Sequence, residues 1–200
     1  MSEQTMDERL RRAVRLVALL NLAYFSVEFV VALSISSVSL FADSVDFLED
    51  AAVNFLIFAA LGWSATRRAR VGMGLAGILL IPAIAFLWML WRKFNAPAPP
   101  EALQLTLTGA GALGVNLFCA FTLARFRAHR GSLTKAAFLS ARNDALANVA
   151  IIAAGVVTAF TRSAWPDVIV GLGIAAMNVD AARAVWKAAR DEHRVAASAP

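Results

Sequence analysis

Four acidic residues fall within eight positions of the apolar stretch FADSVDFLEDAAVN: Asp43, Asp46, Glu49 and Asp50. If this stretch is a helix turning about 100° per residue, Asp43, Asp46, Asp50 and Asn54 lie on one stripe, and Glu49 lies to one side. Carboxylates in surroundings as apolar as a lipid bilayer are costly and are rarely present without a use. A stripe of three such groups requires cations, protons or both to neutralise it.

A second polar stripe lies in the stretch SARNDALANVA, which begins at Ser140. Ser140, Asp144 and Asn148 recur at every fourth position and share one helix face, while Asn143 lies about 100° away from Asp144. Arg142 points elsewhere, and we expect it either to pair with an acid or to extend its charge to the membrane surface.

The two stripes are able to face each other. Asp46 and Asp50, one helical turn apart, would then meet Ser140 and Asp144, which are also one turn apart. Two such pairs give up to four oxygen ligands, the number that a tetrahedral divalent metal takes. Glu28, in the first apolar segment, is either an ion-pair or hydrogen-bonding partner inside the bundle or a group on the path of protons or ions.

The composition is that of a membrane protein. The chain has 200 residues, of which 60% are hydrophobic and 16% charged, with a mean hydropathy of +0.65. A membrane-spanning helix needs about 20 apolar residues, and six segments meet this requirement. We therefore predict an all-α membrane protein with six transmembrane helices. The segments are Ala13–Leu33, Val38–Trp63, Val71–Trp91, Leu103–Leu123, Ala136–Phe160 and Trp165–Trp186.

Lysine and arginine residues indicate the topology. With six spans, 15 of the 19 basic residues lie on the side of the two termini and three lie on the other side. Such an excess is typical of cytoplasmic segments, so both termini are predicted to be cytoplasmic. Because the basic residues occupy these positions, the net charge of +5 does not indicate a nucleic acid partner.

Three stretches of the chain carry a family resemblance. The first is NLAYFSVEFV, with Asn21, Phe25 and Glu28. The second is SISSVSLFADSVDFLED, which holds a Ser-x-x-Leu-x-Ala-Asp pattern followed by an acid pair, and the third is FLSARNDALANVAII. Together they resemble the cation diffusion facilitator family of divalent-metal transporters. The topology covers the whole chain, whereas the motifs are confined to these stretches.

The resemblance implies export of a divalent metal from the cytoplasm, driven by protons that move inward. The two ligand pairs of the family fall on Asp46 with Asp50 and on Ser140 with Asp144. Most zinc-transporting members have a histidine in one or both pairs, and neither pair of this chain contains one.

The fourth ligand is the point at which the chain departs from the family pattern. The hydroxyl of Ser140 is neutral and is a weak ligand, so water, Asn143 or a rotated Asp43 is expected to complete the site. Asp43 would lie nearer the external mouth and attract or release ions there. Asn54 and Asn148 would orient the ligand side chains without binding the metal themselves.

The expected substrate is a zinc-like transition-metal ion, with cadmium, cobalt, iron and manganese left open because the ligands are oxygens. The metal is cargo, and neither a prosthetic group nor enzymatic activity is expected. We expect a cytoplasmic tail at 1–12, a six-helix transport domain at 13–188 and a short tail at 189–200. Without the family's cytoplasmic metal-sensing domain, a homodimer would form through the membrane helices. The expected location is the inner (plasma) membrane of a bacterium.

Two other functions use the same acids. A proton-coupled exporter of organic cations would need aromatic side chains around the stripe, and only Phe47 and Phe55 are near. A membrane enzyme that acts on lipid head groups through a carboxylate-bound metal would place the acids at the cytoplasmic interface. The stripe instead starts near the external end of its helix, which favours transport.

Overall fold

The chain is a bundle of α-helices in a computed structural model that describes residues 3–60, 84–126 and 131–177. Side chains are described for 8–58, 84–126 and 143–177. The fold-class prediction of an all-α membrane protein is confirmed. The helices are α1 (Glu3–Ile35), α2 (Val38–Ala60), α3 (84–95), α4 (Ala102–Ala124), α5 (Gly131–Thr161) and α6 (Trp165–Met177).

Helix lengths and outward faces fit a bilayer. Three apolar stretches of the described helices are long enough to cross a membrane: Glu8–Ile35, Ala102–Ala124 and Asn143–Thr161. Large apolar side chains cover the outside of the bundle, as at Val30 and Phe160. An exposed apolar surface of this extent is stable in lipid but not in water. The end of the second predicted segment, the first part of the third and the end of the sixth lie outside the described residues.

Two helices end on residues with positive φ. Ser36 has φ 53°, and the next amide, Ser37 N–H, donates to Ala32 O at 2.9 Å. Arg162 has φ 51°, and its own amide donates to Thr158 O at 2.8 Å. These bonds satisfy carbonyl groups that the last helical turn leaves open. The predicted turns after the first and fifth segments therefore coincide with true helix ends.

The helices pack as two close pairs, α1 with α2 and α4 with α5. Small residues allow the second pair to approach closely, since a Cβ atom on Gly109 would meet the side chain of Ile151, and one on Gly155 would meet Thr106. Fewer contacts join the pairs to each other. One of them is the hydrogen bond from the Tyr24 hydroxyl to Thr108 O at 2.6 Å.

Buried apolar side chains form two separate clusters. The outer cluster, at the end where α1 passes into α2, includes Ala32, Val38, Leu40, Phe41, Val45, Leu105, Ile151 and Val168. The inner cluster, near the start of α1, includes Leu10, Val14, Val17, Ile57, Cys119, Ala120 and Leu123. On α1, α2 and α4, buried polar residues lie between them along the chain, at Asn21, Glu28, Asn54 and Asn116. A polar layer therefore crosses the middle of the bundle.

The first turn of α2 is capped by a carboxylate from another helix. Asp167 of α6 is fully buried and accepts hydrogen bonds from the hydroxyls of Ser37 and Ser39 at 2.6 and 2.7 Å. It also accepts from the backbone amides of Val38 and Ser39 at 2.8 and 3.1 Å. These amides are among the donors that a helix start leaves without a partner, so Asp167 acts as an N-cap supplied through space.

A buried lysine completes this cap. Lys93 of α3 donates to Ser36 O at 2.6 Å, and its amine lies 4.0 Å from the Asp167 carboxylate. We call Asp167, Lys93 and the 36–39 backbone the α2–α6 cap. Four hydrogen bonds and one cation neutralise a carboxylate that would otherwise be costly to bury.

Glycine at position 171 permits the contact. A Cβ atom there would lie 2.8 Å from Ser39 N and from the carbonyl carbon of Val38, both backbone atoms that cannot move aside easily. Because Gly171 lets α6 approach α2 this closely, Asp167, one turn earlier on α6, reaches the start of α2. Gly173, two residues further, has open space around its Cα.

We predict that Asp167→Asn lowers the free energy of unfolding by about 3–5 kcal/mol, because it leaves the Lys93 amine buried without a counter-charge and turns an amide N–H towards a backbone N–H. Titration with sodium dodecyl sulfate in mixed micelles measures this. Adding Lys93→Met should restore part of the loss. Glu101→Ala removes the exposed cap of α4, so it should cost only about 1 kcal/mol. Equal losses for the two caps would contradict the assignment.

Gly171→Ala should destabilise the protein by about 1–3 kcal/mol, because α6 must move away from the α2 backbone. Gly173→Ala is the matched control on the same helix. It should be neutral or slightly stabilising, since alanine is the better helix former. Thermal unfolding in detergent distinguishes the two, and equal melting temperatures would show that the close approach of α6 to α2 has no energetic importance.

Candidate metal centre

The polar stripe of α2 points into the bundle. Asp43 is fully buried, Asp46 and Asp50 are partly buried, and Asn54 is 1% exposed. Glu49, which the helical spacing sets to one side, is also partly buried. Since α2 is a regular helix from Val38 to Ala60, the stripe predicted from the spacing is present.

The stripe meets α5 at the seam between the two helix pairs. The carboxyl groups of Asp50 and Asp144 lie close enough to interact directly, and Asp46 is close enough to Asp144 for electrostatic repulsion. Asp144 is partly buried. The structure thus brings together three of the four residues on which the family's ligand pairs fall.

For the remaining candidates on α5, the structure gives only a backbone position or an exposure. Ser140 lies one turn before Asp144 on the α5 backbone, and its side chain and that of Arg142 lie outside the described residues. Asn143 is exposed. The fourth position of the ligand set therefore stays a prediction.

Asp43 is held by a relay of two asparagines. The Asn148 side-chain amide donates to Asp43 Oδ2, and Asn116 Nδ2 donates to Asn148 Oδ1 at 2.9 Å. All three side chains are buried. The relay runs from α4 through α5 to α2, so it fixes the Asp43 carboxylate across the seam. The sequence analysis placed Asn148 behind the site but missed Asn116, which follows apolar residues and carries no motif.

Glu28 faces Asp43 from α1. Its side chain is fully buried, and its carboxyl group lies beside that of Asp43. Among the described residues, no group donates a hydrogen bond to either Glu28 oxygen or to Asp43 Oδ1. Both roles left open for Glu28, inside the bundle or on the path of protons or ions, stay predictions.

Asn54 behaves differently from the expectation. Its Nδ2 donates to the backbone carbonyl of Asp50 at 2.8 Å, not to the Asp50 carboxylate. Among the described groups, none is a hydrogen-bond partner of its Oδ1 atom, which is buried. The contact stabilises the α2 backbone at the site, and any orienting effect on a ligand is indirect.

The site is built from carboxyl and amide oxygens, and its acids touch in pairs. Two neighbouring carboxyl groups are stable side by side among apolar helices only when a proton or a cation offsets their charge. In the described parts of the chain, no three acids, histidines or cysteines converge as ligands of one ion. A metal bound here would have to displace any proton that the acids share and draw the α2 and α5 carboxylates around it.

Among the described residues, the two phenylalanines near the stripe do not line this centre as an organic-cation site requires. Phe47 is buried, and its ring packs against Tyr24 with a centroid distance of 5.1 Å. Phe55 is more than one-third exposed, towards the outside of the bundle. The two phenylalanines therefore give little support to an organic-cation site, which would bind its ligand through aromatic faces.

Comparison with known proteins identifies the family of the chain. The profile of the cation efflux transmembrane domain matches residues 14–192, which includes α2, α5 and every acid described above. A search of curated proteins finds no match. Because the matched domain spans most of the chain, the protein belongs to the cation diffusion facilitators, the family of cation efflux transporters.

Proposed function

We propose that this membrane protein exports a divalent transition-metal ion from the cytoplasm in exchange for protons, with zinc as the principal candidate. Membership in a cation efflux family makes it a cation transporter. The ion, the coupling to protons and the residues that bind are our inference. The observation that carries it is the contact of Asp50 with Asp144 across the seam between the two helix pairs.

The seam is the position at which a binding site can open to one side and then to the other. Close packing holds α1 to α2 and α4 to α5, while fewer contacts join α2 to α5. A shift of one pair against the other would change access to Asp46, Asp50 and Asp144 without breaking either pair. Such rigid-body movement around a fixed site is the usual form of alternating access.

Exchange of ions follows from the chemistry of the acids. In the proton-loaded form, touching carboxyl groups neutralise one another through shared protons. A divalent ion that enters from the cytoplasm binds only deprotonated carboxylates, so it releases those protons. When the ion leaves on the outer side, the acids take up protons again, and each cycle carries protons against the metal.

We propose that Asp43 and Glu28 form a second site on the path of protons and ions. Asp43 lies one turn closer to the external end of α2 than Asp46, and the two asparagines hold it in place. Glu28 contacts it from α1. We assign this pair to proton exchange and ion release, with Asp46, Asp50 and Asp144 as the metal ligands and Ser140, Asn143 or water in the fourth position.

The ligand chemistry bears on the choice of ion. An all-oxygen site suits manganese as well as zinc, whereas nitrogen or sulfur ligands would favour the softer ions. Family resemblance favours zinc. On the same resemblance we propose a homodimer formed through membrane helices and a location in a bacterial inner membrane.

The binding assignment predicts that Asp46→Asn, Asp50→Asn and Asp144→Asn each reduce metal flux by at least about tenfold, because each removes a ligand charge but keeps the side-chain shape. Zinc, manganese, cobalt and cadmium uptake into proteoliposomes, with a pH dye inside, measures both ions. Metal and proton movements should oppose each other in the wild type.

Glu49→Gln is the matched control, because it removes an acid of the same helix that lies off the stripe. It should retain most of the flux. Full zinc transport by Asp50→Asn would overturn the proposed site. A pH response to organic cations without flux of any divalent metal would assign the acids to an exporter of organic cations.

The relay to Asp43 has its own test. Asn148→Ala removes the donor that fixes Asp43 and should raise the metal concentration for half-maximal flux by about tenfold, as loss of a supporting hydrogen bond does at metal sites. Asn95→Ala, which removes only an exposed contact with its own helix, serves as control. If Asn148→Ala left flux and its pH dependence unchanged, the relay would have only a structural role.

A further inference from the structure

A groove of about 710 Å³ lies between the first half of α1 and the last part of α4, away from the acid centre. Two stripes of side chains line it, one from each helix, with the same spacing of three and then four residues. The stripes are Arg9, Arg12 and Leu16 on α1, and Phe118, Phe121 and Arg125 on α4.

The groove is polar at one end and apolar at the other. Because α1 and α4 run in opposite directions, Arg125 at the end of α4 lies beside Arg9 and Arg12 near the start of α1. This is the end that the basic residues of the sequence assign to the cytoplasm. Leu16 is seven residues beyond Arg9, which is roughly 10 Å deeper along the helix.

Among the side chains that the structure describes, little negative charge offsets the three guanidinium groups of the groove. Glu8 lies 3.9 Å from Arg12, but both side chains are more than 70% exposed, and such pairs contribute little. The neighbouring Arg11 is occupied elsewhere, since its guanidinium lies 5.2 Å from the centre of the Phe58 ring. Arg15 is exposed and is not among the residues that line the groove.

The apolar end is open to the bilayer. Phe118 and Phe121 are 51% and 71% exposed, and Leu16 is 44% exposed. An aromatic and aliphatic wall at acyl-chain depth, below a cluster of arginines at head-group depth, has the polarity of a phospholipid from head to tail. Basic grooves between membrane helices on the cytoplasmic side are places where anionic lipids bind.

We propose that this groove is a binding site for a phospholipid with an anionic head group from the cytoplasmic leaflet. Arg9, Arg12 and Arg125 hold the phosphate through charge-assisted hydrogen bonds, for which the planar guanidinium is well suited. An acyl chain lies along Phe118 and Phe121. This assignment does not depend on the transported ion or on the proton coupling.

Native mass spectrometry of the purified full-length protein in detergent tests it, with phosphatidylglycerol as the probe. Phosphatidylcholine tests the need for net charge, and glycerol phosphate tests whether a free phosphate is enough. Each substitution Arg9→Gln, Arg12→Gln and Arg125→Gln should weaken phosphatidylglycerol binding about fivefold, since each basic group near an anionic head group contributes about that factor. Arg15→Gln is the matched control and should bind as the wild type does.

A second variant tests the apolar end. Phe121→Gln should weaken phosphatidylglycerol binding while the three arginines remain. Equal binding of phosphatidylcholine, or of glycerol phosphate at the same concentration, would overturn the proposal. So would an equal loss in Arg15→Gln, which would indicate a general effect of surface charge. If the arginine variants changed the oligomeric state and not lipid retention, the occupant would be a second copy of the chain.

Discussion

A carboxylate among apolar helices must be matched by donors, by a proton or by a cation, and this chain meets the requirement in two ways. Asp167 has permanent partners in two hydroxyls, two backbone amides and a lysine. Asp50 and Asp144 instead contact each other. The first arrangement is fixed because its donors belong to the fold. In the proposed mechanism the second depends on mobile protons, which a cation of sufficient charge replaces.

The packing of the bundle gives this difference a function. The α2–α6 cap lies at the outer cluster, where apolar side chains from several helices meet. The acid centre lies in the polar layer between the two clusters, on the seam where the helix pairs have fewer contacts. The acids to which we assign exchange therefore lie where fewer contacts join the described helices, as the proposed alternating access requires.

Sequence periodicity predicted the features that depend on a single helix. The α2 stripe and the Asp144–Asn148 face of α5 follow from spacing alone, and the helix breaks follow from polar and proline-rich links. It missed Asp167, Lys93 and Asn116, because their roles depend on partners far along the chain. Asp167 has the appearance of an ordinary first-turn acid of its own helix. Spacing also cannot distinguish a side chain that binds a carboxylate from one that binds a backbone carbonyl, as the contact of Asn54 shows.

The capped start of α2 has a mechanical consequence. Because Asp167 holds the backbone amides of Val38 and Ser39, a tilt of α2 that preserves these bonds must pivot at that end. Asp50 lies twelve residues along the helix, roughly 18 Å from the pivot, so a tilt of about 10° displaces it by about 3 Å. Asp43, only five residues along, moves less than half as far. A tilt of α2 about its capped start therefore moves the acid that meets α5 much further than it moves the outer acid.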